Sequence, residues 1–223
     1  MLTLVKNGII VDSGLSFAGS LLINGEKIEK IFRADSYPTH KEYMDAVDAQ
    51  AADKVIDASG LHILPGVIDD QVHFREPGNT QKATIASESA AAVLGGVTSF
   101  MDMPNNNPPA ATMEALNGKF NIAKETSYAN YSFYLGATNE NIGEIKTLDK
   151  SRICGVKVFM GSSTGNMLVD DSSSLEKLFK IKTKPVLVHC EDEATIKANL
   201  NSAIEKYGEE IPFEEHEHIR SRQ

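Results

Sequence analysis

The sequence is poor in cysteine, in basic residues and in long apolar runs, and each shortage excludes a class of protein. Two cysteines, Cys154 and Cys190, do not make a disulfide framework, which predicts a protein of the reducing cytoplasm. Lysine and arginine number 22 against 31 acidic residues, and the net charge of -9 argues against a nucleic-acid surface. No apolar run could cross a bilayer, and the N-terminus lacks a signal-peptide pattern. We therefore expect a cytoplasmic protein with neither a nucleic-acid nor a membrane partner.

Residues 1–59 alternate apolar and polar side chains, as β-strands with one buried face do. Two turn dipeptides, Asn7-Gly8 and Asn24-Gly25, tolerate positive φ and are typical of tight β-hairpins. Residues 35–53 are charged and irregular, and we expect a loop or a short helix there. The pattern predicts a small N-terminal β-sandwich element as the first domain.

From residue 60 onward, apolar strand patterns alternate with helical patterns, which predicts a parallel sheet or barrel of class α/β. After the first strand, further strands are predicted at residues 97–103, 128–136, 153–160 and 185–189. About five β/α units can be counted, whereas a closed (β/α)8 barrel has eight. We therefore expect residues 60–223 to be the first part of a truncated barrel.

The first predicted barrel strand lies in the segment LPGVIDDQVHFREPG, residues 64–78. Side chains alternate along a strand, so Asp69, Gln71 and His73 share one face, and Arg75 follows in the loop. Burying such groups costs free energy unless they are paired or bound to a metal. We interpret the segment as a strand that ends in an active site.

Other polar residues stand at the ends of the later strands, where barrel enzymes place their active sites. Asn105 follows the second strand, Lys157 lies within the fourth, and His189 ends the fifth. A single histidine at a strand end is more often structural than a ligand. A lysine inside an apolar strand is harder to explain structurally, because an unpaired buried ammonium is costly. Together, these segments predict one polar rim.

These motifs resemble those of the cyclic amidohydrolases, and among them the dihydroorotases. The first barrel strand of that family carries Asp-x-His-x-His, followed in dihydroorotases by Phe-Arg-Glu-Pro-Gly. In this chain Asp69 and residues 73–78 match, and Gln71 stands where the first histidine is usual. The resemblance covers essentially the whole chain.

The resemblance implies a centre of one or two Zn²⁺ ions per subunit. His73 and His189 would be ligands, and Lys157, in the segment GVKVFM, would react with carbon dioxide to give a carbamate that bridges two metals. Gln71 is the remaining candidate ligand, and its neutral carbonyl oxygen is a poorer zinc ligand than imidazole. We therefore expect the first metal to be held more weakly than the second.

The resemblance also implies a substrate. Arg75 and Asn105 would bind the ring carboxylate of dihydroorotate by charge-assisted hydrogen bonds. The expected activity is the interconversion of L-dihydroorotate and N-carbamoyl-L-aspartate in pyrimidine synthesis, by an enzyme that is a homodimer when complete. Relatives take another histidine ligand and an acid/base aspartate from later strands, so we expect the 223-residue chain to be inactive alone.

Two alternatives remain open. Gln71 permits a degenerate metal site, and the protein would then be a non-catalytic scaffold partner of aspartate transcarbamoylase. The second alternative is an allantoinase or hydantoinase, and a panel of substrates separates these activities from that of a dihydroorotase.

Overall fold

The computed structural model divides the chain into two compact units, Met1–Gly66 and Val67–Gln223. The division falls after the predicted boundary at residue 59, because the short strand His62–Ile63 pairs with the first strand of the N-terminal sheet. No helix in the described part of the chain is both long enough and apolar enough to cross a membrane. The structure describes residues 1–146, 152–161, 167–169, 171–182 and 184–221.

The first unit is a five-stranded mixed sheet in the order β3-β2-β1-β4, with β5 also paired to β1. Its strands are β1 (Leu2–Asp12), β2 (Leu15–Asn24), β3 (Lys27–Arg33), β4 (Lys54–Asp57) and β5 (His62–Ile63), and its helix is α1 (His40–Asp48). Tyr43 and Val47 of α1 pack on Leu4, Leu22 and Phe32 of the sheet. This unit stands at the position of the predicted β-sandwich element. It consists of one sheet with a helix packed against it.

The predicted hairpin turn at Asn7-Gly8 is wrong. Strand β1 runs through both residues, and its pairing with β2 shifts register between Val5 and Gly8. Asn7 has a φ of 66°, so the dipeptide forms a bulge within the strand. The β1–β2 hairpin closes instead at Ser13-Gly14, where both residues have positive φ. The predicted turn at Asn24-Gly25 is present between β2 and β3.

The second unit is a parallel sheet whose five strands follow one another in chain order, β10-β9-β8-β7-β6. This is the arrangement of the first part of a (β/α)8 barrel, and it confirms the predicted fold class. The strands are β6 (Val67–Val72), β7 (Val97–Asp102), β8 (Asn130–Gly136), β9 (Gly155–Phe159) and β10 (Val186–His189). The helices are α2 (Ile85–Leu94), α3 (Met113–Thr126), α4 (Ile142–Ile145), α5 (Ser172–Phe179), α6 (Glu193–Tyr207) and α7 (Glu215–Arg220).

The parallel sheet has an apolar face covered by helices. Phe100, Phe133 and Val158 on this face share one hydrophobic cluster with Leu116 of α3 and Leu178 of α5. Because side chains alternate along a strand, the residues between these apolar positions point to the opposite, concave face. Lys157 of β9 and His189 of β10 belong to that concave face, whereas Gln71 lies where the register of β6 is irregular, between Asp69 and Val72.

The two outer strands of the parallel sheet, β6 and β10, each pair with one neighbour in the described chain. On β6 the side chains of Val67 and Ile68 are exposed, the latter by 62%. Leu94, at the end of α2, is 90% exposed. In most proteins, an apolar surface of this extent at a sheet edge is covered by another strand or helix.

Candidate active site

Two loops, after β6 and after β7, meet at the carboxyl end of the parallel sheet. The Nδ1 atom of His73 lies 2.8 Å from the Oδ1 atom of Asn105. A carbonyl oxygen only accepts hydrogen bonds, so with the amide in this orientation Nδ1 carries the proton. The Nε2 atom of His73 is then the basic nitrogen, and it can bind a metal or accept a proton.

Arg75 lies two residues further along the first of these loops. Its backbone is left-handed, with φ of 66°, a conformation that is uncommon outside glycine. The side chain is half-buried, and among the described residues its guanidinium makes no hydrogen bond or ion pair. Within the described ranges the carboxylate of the neighbouring Glu76 forms no ion pair with it, and its Oε2 atom accepts from the backbone nitrogen of Ile85 at 2.8 Å. Arg75 is therefore available to an anionic group.

Lys157 is the central residue of β9, a strand in which every residue is buried. It is 3% exposed, and in the described ranges its ammonium has no hydrogen-bond or ion-pair partner. The centroid of the Phe159 ring lies 5.1 Å from Nζ. Burial lowers the pKa of Lys157, because the charged form loses its hydration. A larger neutral fraction makes this amine a better nucleophile.

His189 ends β10, next to the strand that carries Lys157. Its Nε2 atom lies 3.2 Å from the Oε2 atom of Glu191, and the other oxygen of Glu191 lies 3.1 Å from Nη1 of Arg220. The rings of His189 and Phe159 have centroids 6.4 Å apart, so Phe159 contacts both predicted metal-binding side chains on these strands. With Nε2 close to a carboxylate oxygen, Nδ1 is the nitrogen left to bind a metal.

Gln71 is exposed, and its backbone nitrogen donates to Oδ1 of Asp69 at 3.1 Å. The structure joins His73 to Asn105 directly and places Lys157 and His189 around Phe159. Hydrogen bonds and ion pairs within the described ranges do not connect Gln71 or Arg75 to either group. The same ranges contain no cluster of three or more histidine, cysteine, aspartate or glutamate side chains that could hold a metal ion.

The donors nevertheless fit zinc in their chemistry. One ring nitrogen of His73 is hydrogen-bonded to a carbonyl oxygen, as in metal-binding histidines generally, and one ring nitrogen of His189 lies 3.2 Å from a carboxylate oxygen. Lys157 is a buried amine without an ion-pair partner in the described chain, and conversion to a carbamate would give it an oxygen ligand and a negative charge. These three residues could hold one ion or contribute to two.

Sequence reasoning missed a buried ion pair behind the two loops. The Nζ atom of Lys119 lies 2.6 Å from Oδ2 of Asp102, and neither side chain has exposed surface. Burial lowers the pKa of Lys119, against the opposing attraction of Asp102. A signal was present in the sequence, because Lys119 stands between Leu116 and Ala123 on the buried face of α3, where a lysine needs a partner.

The profile of the family described as dihydro-orotase-like matches residues 60–211. This chain belongs to that family. The match includes every residue predicted for the site, and it confirms the resemblance to the cyclic amidohydrolases.

Several proteins are similar to this dihydro-orotase-like chain. An allantoinase from Desulfitobacterium hafniense is 37% identical over 148 residues, which are 63% of this chain and 32% of the relative. A dihydroorotase from Staphylococcus epidermidis is 32% identical over 199 residues, 86% of this chain and 43% of the relative. Among solved structures, an L-hydantoinase (dihydropyrimidinase) from Arthrobacter aurescens superposes with a TM-score of 0.82 at 26% identity, covering 99% of this chain and 47% of that one.

The dihydro-orotase-like chain thus spans less than half the length of the relatives it matches. The five strands of its parallel sheet correspond to the first part of a hydantoinase barrel. The relatives carry three different activities in their names, so membership of the family does not by itself select a substrate.

Proposed function

We propose that this dihydro-orotase-like chain is the first part of a zinc-dependent cyclic amidohydrolase that interconverts L-dihydroorotate and N-carbamoyl-L-aspartate. The observation that carries the proposal is Arg75, a half-buried guanidinium without a partner in the described chain, two residues beyond His73. Dihydroorotate has a ring carboxylate that such a group can bind by charge-assisted hydrogen bonds. The similarity to a dihydroorotase over 86% of the chain supports the same substrate.

Asn105 would bind both a metal ligand and the substrate, each through a different atom of its side-chain amide. Its Oδ1 atom accepts from Nδ1 of His73, so its two amide N–H groups remain for the substrate. One of them would donate to the carboxylate beside Arg75. The side chain would therefore couple the position of the substrate to the orientation of a metal ligand.

His73, Lys157 as its carbamate, and His189 would hold zinc on the concave face of the sheet. When bound, zinc supplies a Lewis acid for the ring carbonyl and lowers the pKa of a water molecule toward neutrality. Gln71 would add a weak ligand at most, because its amide oxygen is neutral. We expect one of two zinc ions to bind less tightly than the other.

Two other functions have specific support. The allantoinase is the more identical relative and the hydantoinase superposes well, which favours a cyclic ureide without a carboxylate as the substrate. Arg75 argues against these substrates, because they have no anionic group for it to bind. Gln71 supports a non-catalytic scaffold partner of aspartate transcarbamoylase, since a scaffold does not need a complete set of ligands.

The test is a substrate panel run with zinc and bicarbonate. It uses the complete-barrel protein, by which we mean this chain together with the further β/α units that its relatives possess. L-dihydroorotate, allantoin, hydantoin and dihydrouracil are compared by kcat/KM, and zinc is measured by mass spectrometry on the same preparation. We expect dihydroorotate to be preferred. Turnover of allantoin or hydantoin alone would support the second function, and a folded protein without zinc or turnover would support the scaffold.

A further inference from the structure

We propose that Lys119 is a positioning residue that holds the loops after β6 and β7 together, so that Asn105 fixes the tautomer of His73. The proposal concerns the geometry of these two loops. It rests on the proposed function only in treating His73 as a metal ligand. Lys119 itself lies on α3, behind the sheet, and has no exposed surface.

The ammonium of Lys119 binds the second loop on both sides of Asn105. Nζ donates to the backbone oxygen of Met103 at 2.9 Å and to Oδ1 of Asn106 at 2.7 Å. These contacts fix the backbone two residues before Asn105 and the side chain directly after it. The freedom of Asn105 to move away from His73 is limited accordingly.

The partner of Lys119 binds the first loop. Oδ1 of Asp102 accepts from the backbone nitrogen of Phe74, directly after His73, at 2.9 Å, while Oδ2 pairs with Lys119. A further link runs from Nδ2 of Asn106 to the backbone oxygen of Glu76 at 3.0 Å. One buried ion pair therefore holds the residue after His73 and the residues around Asn105 in the same network.

A charged pair is a costly way to fill this space. Apolar side chains of similar volume often replace a buried ion pair without loss of stability, so filling the core does not explain Lys119. The ammonium donates two hydrogen bonds, to Met103 and Asn106, and its charge is paired with the carboxylate of Asp102 at 2.6 Å. Lys119 has no exposed surface with which to reach a substrate, which makes it a positioning residue and not a catalytic one.

The test compares four variants of the complete-barrel protein. Lys119→Met leaves Asp102 buried without its partner, whereas Lys119→Met combined with Asp102→Asn removes both charges at nearly constant volume. Asn106→Ala removes one contact of Lys119 and leaves the ion pair. Lys124→Met is the matched control, because Lys124 is exposed on the same helix.

The decisive measurement is the ¹⁵N spectrum of histidine-labelled, zinc-free protein, with the His73 signals assigned by a His73→Gln variant. We expect the Nδ1–H tautomer of His73 in the protein without substitutions and in the Lys124→Met variant. The double variant should show a mixture of tautomers, and Asn106→Ala a smaller shift in the same direction. Zinc affinity should fall by roughly tenfold to a hundredfold in the double variant, the range seen when a hydrogen bond to a metal ligand is lost.

Folded double and Asn106→Ala variants with the tautomer of His73 and the zinc affinity unchanged would overturn the proposal. If the double variant does not fold, Asn106→Ala alone decides, because it keeps both charges. A wrong proposed function would give a different pair of results. In that case the tautomer responds as expected, while the zinc-loaded protein does not hydrolyse dihydroorotate.

Discussion

The Nε2 atom of His189 lies 3.2 Å from Oε2 of Glu191, whose other oxygen contacts Arg220 at 3.1 Å. When Nε2 carries the proton and faces this carboxylate, Nδ1 is the metal-binding nitrogen. Glu191→Ala should therefore weaken zinc binding by roughly tenfold to a hundredfold, as measured by competition with a chromogenic chelator. Glu191→Gln keeps an acceptor and should lose less. Glu205→Ala, at an exposed position of α6, is the control. If all three variants bind zinc with the affinity of the protein without substitutions, Glu191 does not orient His189.

Lys157 should be carbamylated when bicarbonate and zinc are present. Burial lowers the pKa of its amine, so a larger neutral fraction is available to react with carbon dioxide at neutral pH. Intact-protein mass spectrometry under non-acidic conditions should show the added mass, and Lys157→Ala should abolish both the addition and hydrolysis. Acetate or propionate should restore part of the activity of Lys157→Ala, because a carboxylate can take the place of the carbamate. A crystal structure with zinc and bicarbonate that shows an unmodified Lys157 would contradict this prediction.

Arg75→Met should discriminate between substrates. Losing a charge-assisted hydrogen bond in a partly buried site costs about 2–3 kcal/mol, so kcat/KM for dihydroorotate should fall by a factor of roughly 30 to 160. Hydrolysis of hydantoin, which has no carboxylate, should change little. Lys82→Met, an exposed position that follows the same loop, should affect neither substrate. Normal kinetics of Arg75→Met with dihydroorotate would show that the carboxylate binds elsewhere.

Gln71→His should strengthen the weaker metal site. An imidazole is a better zinc ligand than an amide oxygen, so the variant should retain more zinc during dialysis against a mild chelator. Gln71→Asn shortens the side chain and keeps its chemistry, and it should not gain zinc. Two tightly held ions in the unmodified protein would mean that other ligands compensate for the missing histidine.

The architecture of the second unit could be predicted because its signals are local. Apolar strand patterns end at turn residues, and the carboxyl ends of parallel strands meet at one edge, which correctly suggested that His73 and Asn105 lie close together. The bulge at Asn7-Gly8 could not be predicted in the same way, because a residue with positive φ fits a bulge and a turn equally well.

The features of the site that could not be predicted from the sequence depend on contacts between residues far apart in the chain. The pairing of Lys119 with Asp102 depends on how α3 packs against the parallel sheet, and neither residue belongs to a motif. Helix α7 was not predicted, because its charged residues have no buried face and therefore no apolar period. The partner of Glu191 lies on that helix, so the environment of His189 was hidden for the same reason.

The exposed edge of β6 has a consequence for the order in which such a barrel is made. In a closed barrel the first strand has two neighbours, and one of them is the last strand to leave the ribosome. In the complete-barrel protein proposed above, Val67 and Ile68 would stay exposed to water until the last strand of the barrel had been synthesised. Pairing between strands that are far apart in the sequence is slow. Apolar strand edges that stay exposed in the meantime can associate with other nascent chains. The yield of folded protein should consequently depend on chaperones and on the speed of translation more strongly than the yield of the locally paired N-terminal sheet does.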